Sequence, residues 1–220
     1  MKKHIAVITA IFMTLSLVFC GCSSKKEEDP ATKDTKTIGT VAVSGIFTDL
    51  ATDDKNGFDA SKTTLCNVGG LLYSIPDYYS LIEGSANSFS AKDEKGESAI
   101  SFNYFTKGEQ PLNEETIKSV IPNLLNFEDL KISETGSAEV CGFKAYFGRV
   151  TFSDVSKRST NGVVLMVDNT ESGVYDAAMF FQTAEAEFDY GSDYAKIVES
   201  VTVDKEFKAA EAAPAETSAK

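Results

Sequence analysis

The stretch GVVLMVDNTESGVYDAAMFFQT, residues 162–183, decides the fold of this chain. Within residues 162–169, the run from Gly162 to Val167 is apolar at successive positions, which is typical of a strand that is buried on both faces. After the polar turn NTESG, residues 172–183 form a second extended run that can pair with the first. We therefore expect an antiparallel hairpin at the centre of a sheet, with further strands on either side.

A second hairpin is predicted near the start of the folded part. Residues 65–68 and 71–75 are extended and apolar, and Gly69 and Gly70 between them tolerate the positive φ angles of a tight turn. Pro76 should end the second strand, because proline cannot donate to a β-ladder. Further strands are predicted at 100–104, 130–133, 138–140 and 143–152 by alternation of apolar and polar residues.

Two helices are predicted from apolar stripes of helical period. The first follows Asn113 as N-cap and contains Pro122, which must kink or divide it. The second starts at Ser192 as N-cap. Their stripes are Ile117, Val120, Ile121, Leu124 and Leu125, and then Tyr194, Ile197, Val198 and Val201. Since both stripes need a partner, we predict an α+β fold, an antiparallel sheet flanked by a central and a C-terminal helix.

Composition excludes several classes of function. The chain has 220 residues and a net charge of −12, so nucleic acid is not an expected partner. Its single histidine, His4, lies in a segment that we expect to be removed. The folded part then lacks the usual general base and the commonest zinc ligand, and it has no phosphate-loop, zinc or nucleophile-elbow motif. We predict no enzyme activity, no cofactor and no metal site.

The N-terminus reads as a lipoprotein signal peptide, residues 1–21. Two lysines precede an uncharged, mainly apolar run, residues 5–19, which is too short for a relaxed membrane span. The end resembles a bacterial lipobox, in which a cysteine after a small residue receives a diacylglyceryl group. Cys22 follows Gly21 and is the predicted lipidation site, with Cys20 as the alternative. Two acyl chains make a stable anchor in the lipid bilayer.

The predicted signal peptide and lipidation site divide the rest of the chain into segments. Residues 22–37 are a polar membrane tether, residues 38–61 an N-terminal extension of uncertain role, residues 62–205 the globular domain and residues 206–220 a disordered tail. The protein should be lipid-anchored at a cell membrane, with its domain on the extracytoplasmic face.

Three segments resemble the PsbP-like family. GLLYSIPDYY, residues 70–79, is similar to the glycine–aromatic–proline–aromatic opening of these domains. VCGFKA, residues 140–145, and YAKIVESVTV, residues 194–203, are similar to two later landmarks. The resemblance covers about residues 62–203 and implies an α/β/α sandwich that bacterial lipoproteins share. It also implies an accessory or binding role without catalysis, and it carries over no binding residue.

Four residues of the domain are candidates for a site. Tyr78 and Tyr79 follow Pro76 and, in extended chain, should point to opposite sides, which leaves one free to contact a partner. The alternative is that a tyrosine closes the core with its hydroxyl in water. Cys66 and Cys141 are candidates for a disulfide, which export permits, or they are buried free thiols.

The favoured interpretation is a non-catalytic binding or accessory protein for another envelope or exported protein. The alternative is a lipoprotein that binds a small ligand or a divalent cation. For the cation, the acidic residues of AEAEFDYGSD, 184–193, are the candidate ligands, although a solvated loop explains them as well. A histidine-free hydrolase ranks third.

Overall fold

The computed structural model describes residues 30–50, 57–84, 88–107, 111–188 and 190–207. After a short 3-10 turn at Pro30–Thr32, these residues form eleven strands and three α-helices. The strands are β1 (Lys36–Thr40), β2 (Thr63–Val68), β3 (Leu71–Pro76), β4 (Tyr79–Gly84), β5 (Ser88–Asp93), β6 (Ser98–Thr106), β7 (Lys131–Val140), β8 (Phe143–Ser153), β9 (Ser159–Asn169), β10 (Val174–Thr183) and β11 (Thr202–Val203). The helices are α1 (Val43–Ile46), α2 (Thr116–Leu124) and α3 (Tyr190–Glu199).

Eight strands form one large sheet in the order β1-β7-β8-β9-β10-β6-β5-β4. β1 runs parallel to β7, and the other neighbours in this sheet are antiparallel. The predicted central hairpin is confirmed: β9 and β10 pair from Val174 opposite Asn169 to Thr183 opposite Thr160, with further strands on both sides. The strands β11, β3 and β2 form a smaller antiparallel sheet.

The large sheet carries an apolar cluster on each face, so the predicted α+β class is confirmed. One cluster joins the large sheet to the small sheet, α1 and α3, and the other joins it to α2. The largest side chains fully buried in these clusters are Tyr73, Tyr190, Tyr194, Phe47, Phe102, Phe147 and Phe180. Among the described residues, no helix combines the length and the apolar character that crossing a membrane requires.

The turn between β2 and β3 is as predicted. Gly69 and Gly70 have φ angles of 63° and 88°, and Val68 lies opposite Leu71 across them. β3 ends at Pro76, also as predicted.

The helix boundaries differ from the predictions in detail. α3 starts at Tyr190, so Ser192 lies within its first turn and is not the N-cap. α2 starts at Thr116, so Glu115 and not Asn113 occupies the N-cap position. The Asn113 side chain still satisfies the first turn, because Asn113 Oδ1 accepts the backbone N–H of Thr116 at 2.9 Å. Pro122 does not divide this helix, because α2 ends only two residues later, at Leu124. The strands predicted at 130–133 and 138–140 are one continuous strand, β7.

The extension of uncertain role contains part of the fold. β1 extends the large sheet, and Ile46, Phe47 and Leu50 are buried in the core that α1 shares with α3. The globular fold therefore begins at Lys36, earlier than the predicted residue 62. At the other end, the Phe207 ring packs edge-on against Tyr104, so the fold reaches two residues past position 205. The predicted signal peptide, Cys20 and Cys22 lie outside the described residues.

Candidate functional site

Tyr78 and Tyr79 lie where β3 turns into β4, and both connect this corner to the body of the domain. Tyr78 is half-buried and its hydroxyl donates to Asp193 of α3. Tyr79 is buried, with its hydroxyl 2.5 Å from Ser98 Oγ. Their ring centroids are 4.8 Å apart, so the expectation that they point to opposite sides is wrong. Tyr78 belongs to the turn before the strand, where the alternation of side chains does not hold. Their role in partner binding stays a prediction.

The corner belongs to a larger hydrogen-bond network beneath α3. Ser98 Oγ also lies 2.5 Å from the Tyr194 hydroxyl, which donates to the Phe181 carbonyl at 2.7 Å. The Tyr190 hydroxyl donates to Asp93 at 2.9 Å. Burial raises the pKa of Tyr78, and its hydrogen bond to Asp193 adds to the rise. Hydroxyls held protonated in this way join α3 to the rest of the domain by hydrogen bonds and are poor general bases.

Cys66 and Cys141, the candidates for a disulfide or for buried free thiols, are free cysteines in this structure. Cys66 is half-buried in β2, whereas Cys141 is exposed in the tight turn between β7 and β8, with a φ of 44°. Burial raises the pKa of the Cys66 thiol to about 11; partial desolvation together with the neighbouring carboxyls of Asp176 and Glu171 raises that of Cys141 to about 11. Both therefore remain thiols near neutral pH and are weak nucleophiles.

A buried polar cluster that the sequence analysis missed lies between the two sheets. Asp176 of β10 is 0% exposed, and the adjacent Tyr73 of β3 is also buried. Asn169 Nδ2 donates to Asp176 Oδ2 at 3.2 Å and to the Gly69 carbonyl at 3.1 Å. Within the described residues, neither Asp176 Oδ1 nor the Tyr73 hydroxyl has a hydrogen-bond partner. A single acid inside the apolar run 174–181 was the signal available in the sequence.

Gly69 has to be glycine because its turn lies directly on this carboxyl. A Cβ added at Gly69 would be 1.8 Å from Asp176 Oδ1 and 2.7 Å from Tyr104 Cβ. Burial raises the pKa of Asp176 to about 7, and the hydrogen bond from Asn169 opposes part of that rise. The cluster therefore holds a carboxyl that titrates near neutral pH.

A cavity of about 150 Å³ lies beside α1, and Arg149, Asp49, Ser133, Thr151 and Asn161 supply its polar lining. The Arg149 guanidinium is already bonded: it pairs with Asp49 and Glu134 at 2.7 Å each and donates to the carbonyls of Gly45 and Ile46. The volume is below the range of ordinary small-ligand sites. The arrangement fixes α1 on the sheet rather than presenting a charge to a ligand.

The acidic stretch does not assemble a cation site in the described part of the chain. Glu187 pairs with Lys95, Asp193 accepts the Tyr78 hydroxyl, and Asp189 lies outside the described residues. No group of three histidine, cysteine or acidic side chains that could hold a metal ion occurs among the residues described.

Two outermost strands expose large apolar side chains. β4 ends the large sheet and β2 ends the small one. Leu81 of β4 is 63% exposed and Leu65 of β2 is 65% exposed; the third large apolar residue exposed in the described part is Val155, at 46%, in the loop after β8. An outermost strand also presents unpaired backbone groups, so β4 and β2 offer both apolar contact and hydrogen bonds to another chain.

No protein-family model matches this chain, and no curated protein matches it. Among solved structures, the PsbP protein CyanoP of Synechocystis is similar over 67% of this chain and 96% of its own, with 11% identity and a TM-score of 0.49. The Ran-binding protein Mog1p of Saccharomyces cerevisiae matches 64% of this chain and 96% of its own, with 9% identity and a TM-score of 0.44. LpqN of Mycobacterium tuberculosis, involved in cell envelope biogenesis, matches 68% of this chain and 87% of its own, with 13% identity and a TM-score of 0.39.

Proposed function

We propose that this chain is an exported lipoprotein, anchored in the bilayer through diacylglyceryl-Cys22, whose domain binds another envelope or exported protein without catalysing a reaction. The exposed edge of β4 is the observation that carries the binding role. Leu81 stands out from a strand with no neighbour on its outer side among the described strands. The partner that suits this edge is an extended peptide segment with an apolar side chain, which adds to the sheet as a further strand.

The charge of the chain agrees with a protein partner. A net charge of −12 repels phosphate backbones and anionic lipid head groups, so the surface does not favour nucleic acid or a bare membrane as the bound species. A peptide that pairs with a strand edge is bound through backbone groups and one or two apolar pockets, which do not need a basic surface.

Site-specific photo-crosslinking in cells tests the proposal. A photoreactive residue is placed at position 81, at position 65 or at position 155, and adducts are identified by mass spectrometry. Val155 is the matched control because it is exposed and apolar but lies in a loop. We expect one dominant protein adduct at position 81, weaker or absent adducts at 155, and a smaller yield when Cys22→Ala removes the anchor.

A pair of charge variants tests whether the partner binds at the β4 edge. Lysine on an edge strand opposes pairing with another strand. We expect Leu81→Lys to lower recovery of the same partner at least tenfold, and Val155→Lys to leave it unchanged. Equal adducts at 81 and 155, or recovery that Leu81→Lys does not alter, would contradict the proposed site, and the small-ligand interpretation would then rank first.

A further inference from the structure

The Gly69–Gly70 turn closes the small sheet over Asp176, and few bonds hold it there. Asn169 Nδ2 donates to the Gly69 carbonyl at 3.1 Å, and the Asp204 backbone N–H donates to the Gly70 carbonyl at 2.8 Å. The other walls near Asp176 are stronger, because β10 is paired along its length with β9 on one side and with β6 on the other. The turn is therefore the wall that can move at least cost.

No positive charge balances Asp176 in the part of the chain that the structure describes, where it forms no ion pair with a lysine or arginine. The titratable groups that the structure places against the carboxyl and the turn are neutral or acidic; Lys205, which follows Asp204, is exposed. These neutral or acidic groups are Cys66 from β2, Tyr73 from β3, Tyr104 from β6, Cys141 from the β7–β8 turn, Glu171 from the β9–β10 turn and Asp204 after β11.

An ionised carboxylate in this position has to be hydrated or take up a proton. Burying a charge without a partner is costly, and one oxygen of Asp176 lacks even a hydrogen bond. Protonation removes the charge with the turn closed, whereas opening the turn hydrates the charge. As the pH rises, the open form with the ionised carboxylate gains population relative to the closed form with the protonated carboxyl.

We propose that the Gly69–Gly70 turn is a proton-dependent lid, closed over the protonated Asp176 and opened to water when Asp176 ionises. Opening exposes the Asp176 carboxylate, the Asn169 amide and the Tyr73 hydroxyl, which together form a polar patch between the two sheets. This lid is independent of the β4 edge and of the function proposed for it.

The direction of the pH effect follows from linkage. The pKa of Asp176 in the closed state is about 7, above the value of 3.8 for a solvated aspartate. Closure is therefore fully favoured at low pH and is progressively lost as the pH rises toward and through 7. Between pH 5.5 and pH 8.0, these two values make the open state about 30-fold more populated relative to the closed one.

Hydrogen–deuterium exchange of the full chain at pH 5.5 and 8.0 tests this lid, with rates corrected for intrinsic exchange. We expect protection of peptides covering residues 66–73 and 202–207 to fall by about 30-fold at the higher pH. Peptides from β8 and β9 are the reference within the same molecule and should keep their protection. Unchanged protection at 66–73, or an equal loss in β8 and β9, would overturn the proposal.

A pair of isosteric variants identifies the group responsible. Asp176→Asn cannot ionise, so its pH-dependent loss of protection at 66–73 should vanish. Asp93→Asn is the matched control, since Asp93 is a buried acid that accepts the Ser98 and Lys95 backbone N–H groups and the Tyr190 hydroxyl. It should retain the wild-type pH dependence. If Asp176→Asn does not fold, the wild-type comparison of the two regions decides alone.

Discussion

At the scale of single residues, Arg149 joins the N-terminal segment to the sheet through its bonds to Asp49, Gly45 and Ile46. It lies on the face of β8 that also carries Phe147 and packs against α1, where a charge is unexpected. It is bonded to two acids and to the end of α1. The sequence shows an arginine two residues after Phe147 and four after Ala145, both of which the structure buries. It cannot show the partners, because Asp49 meets this strand only through tertiary packing.

Arg149→Ala should strongly destabilise the domain. The change removes the buried counter-ion of Glu134, which among the described residues keeps only a 3.7 Å contact with the exposed Lys36, and it leaves the Ile46 carbonyl without the donor that Arg149 supplies. We expect a loss of about 3–5 kcal/mol in the free energy of unfolding, measured by chemical denaturation. Arg158→Ala is the control and should cost about 0–1 kcal/mol, because Arg158 is more exposed and its buried partner Asp154 keeps the backbone N–H groups of Ser156 and Arg158 as donors. Equal losses in the two variants would refute the role given to Arg149.

At the scale of elements, the hairpins were predictable and the short segments were not. β9–β10 and β2–β3 each combine an extended apolar run with a polar or diglycine turn, and both formed where expected. β1 and α1 have five and four residues, and their stability comes from pairing with β7 and packing near α3. The Asp176 cluster escaped prediction for the same reason, since the contact of Gly69 with β10 is made by distant parts of the chain.

Two glycines in equivalent hairpin turns separate backbone strain from packing. Gly69 and Gly142 both have positive φ, but a Cβ at Gly142 meets nothing within 4 Å, whereas a Cβ at Gly69 collides with Asp176. Gly142→Ala should cost about 1–2 kcal/mol through strain alone. Gly69→Ala should lower the free energy of unfolding by a further ~1–3 kcal/mol, read from thermal or urea melts. Similar costs at both positions would mean that the turn does not rest tightly on β10.

At the scale of the whole molecule, the anchor and the fold are separate predictions. The fold is described from Pro30 onward, whereas export and lipidation rest on residues 1–22 of the sequence. The α+β class followed from the strand and helix patterns, but the extent of the domain did not, because polar segments such as β1 carry no apolar signature of their own.

Metabolic labelling with an alkyne fatty acid and fractionation of cells test the anchor. We expect the wild-type chain to be labelled and recovered with membranes. Cys22→Ala should lose the label and most of the membrane-bound fraction, while Cys20→Ala should behave as wild type. Loss of label in Cys20→Ala with retention in Cys22→Ala would move the lipidation site to the alternative cysteine. Absence of label from the wild-type chain would rule out lipidation.

The parallel pairing of β1 with β7 has a mechanical consequence. A pull on the chain before Lys36 acts along β1, where the Thr40 hydroxyl lies 2.8 Å from Ser137 Oγ and the Val41 N–H donates to the Ser137 carbonyl at 2.9 Å. Tension in that direction loads the rungs between the two strands together, as shear, instead of opening them one after another. We expect tension on the segment before Lys36 to be transmitted to the sheet and to release β1 in a single step, which an optical trap would record as one rupture.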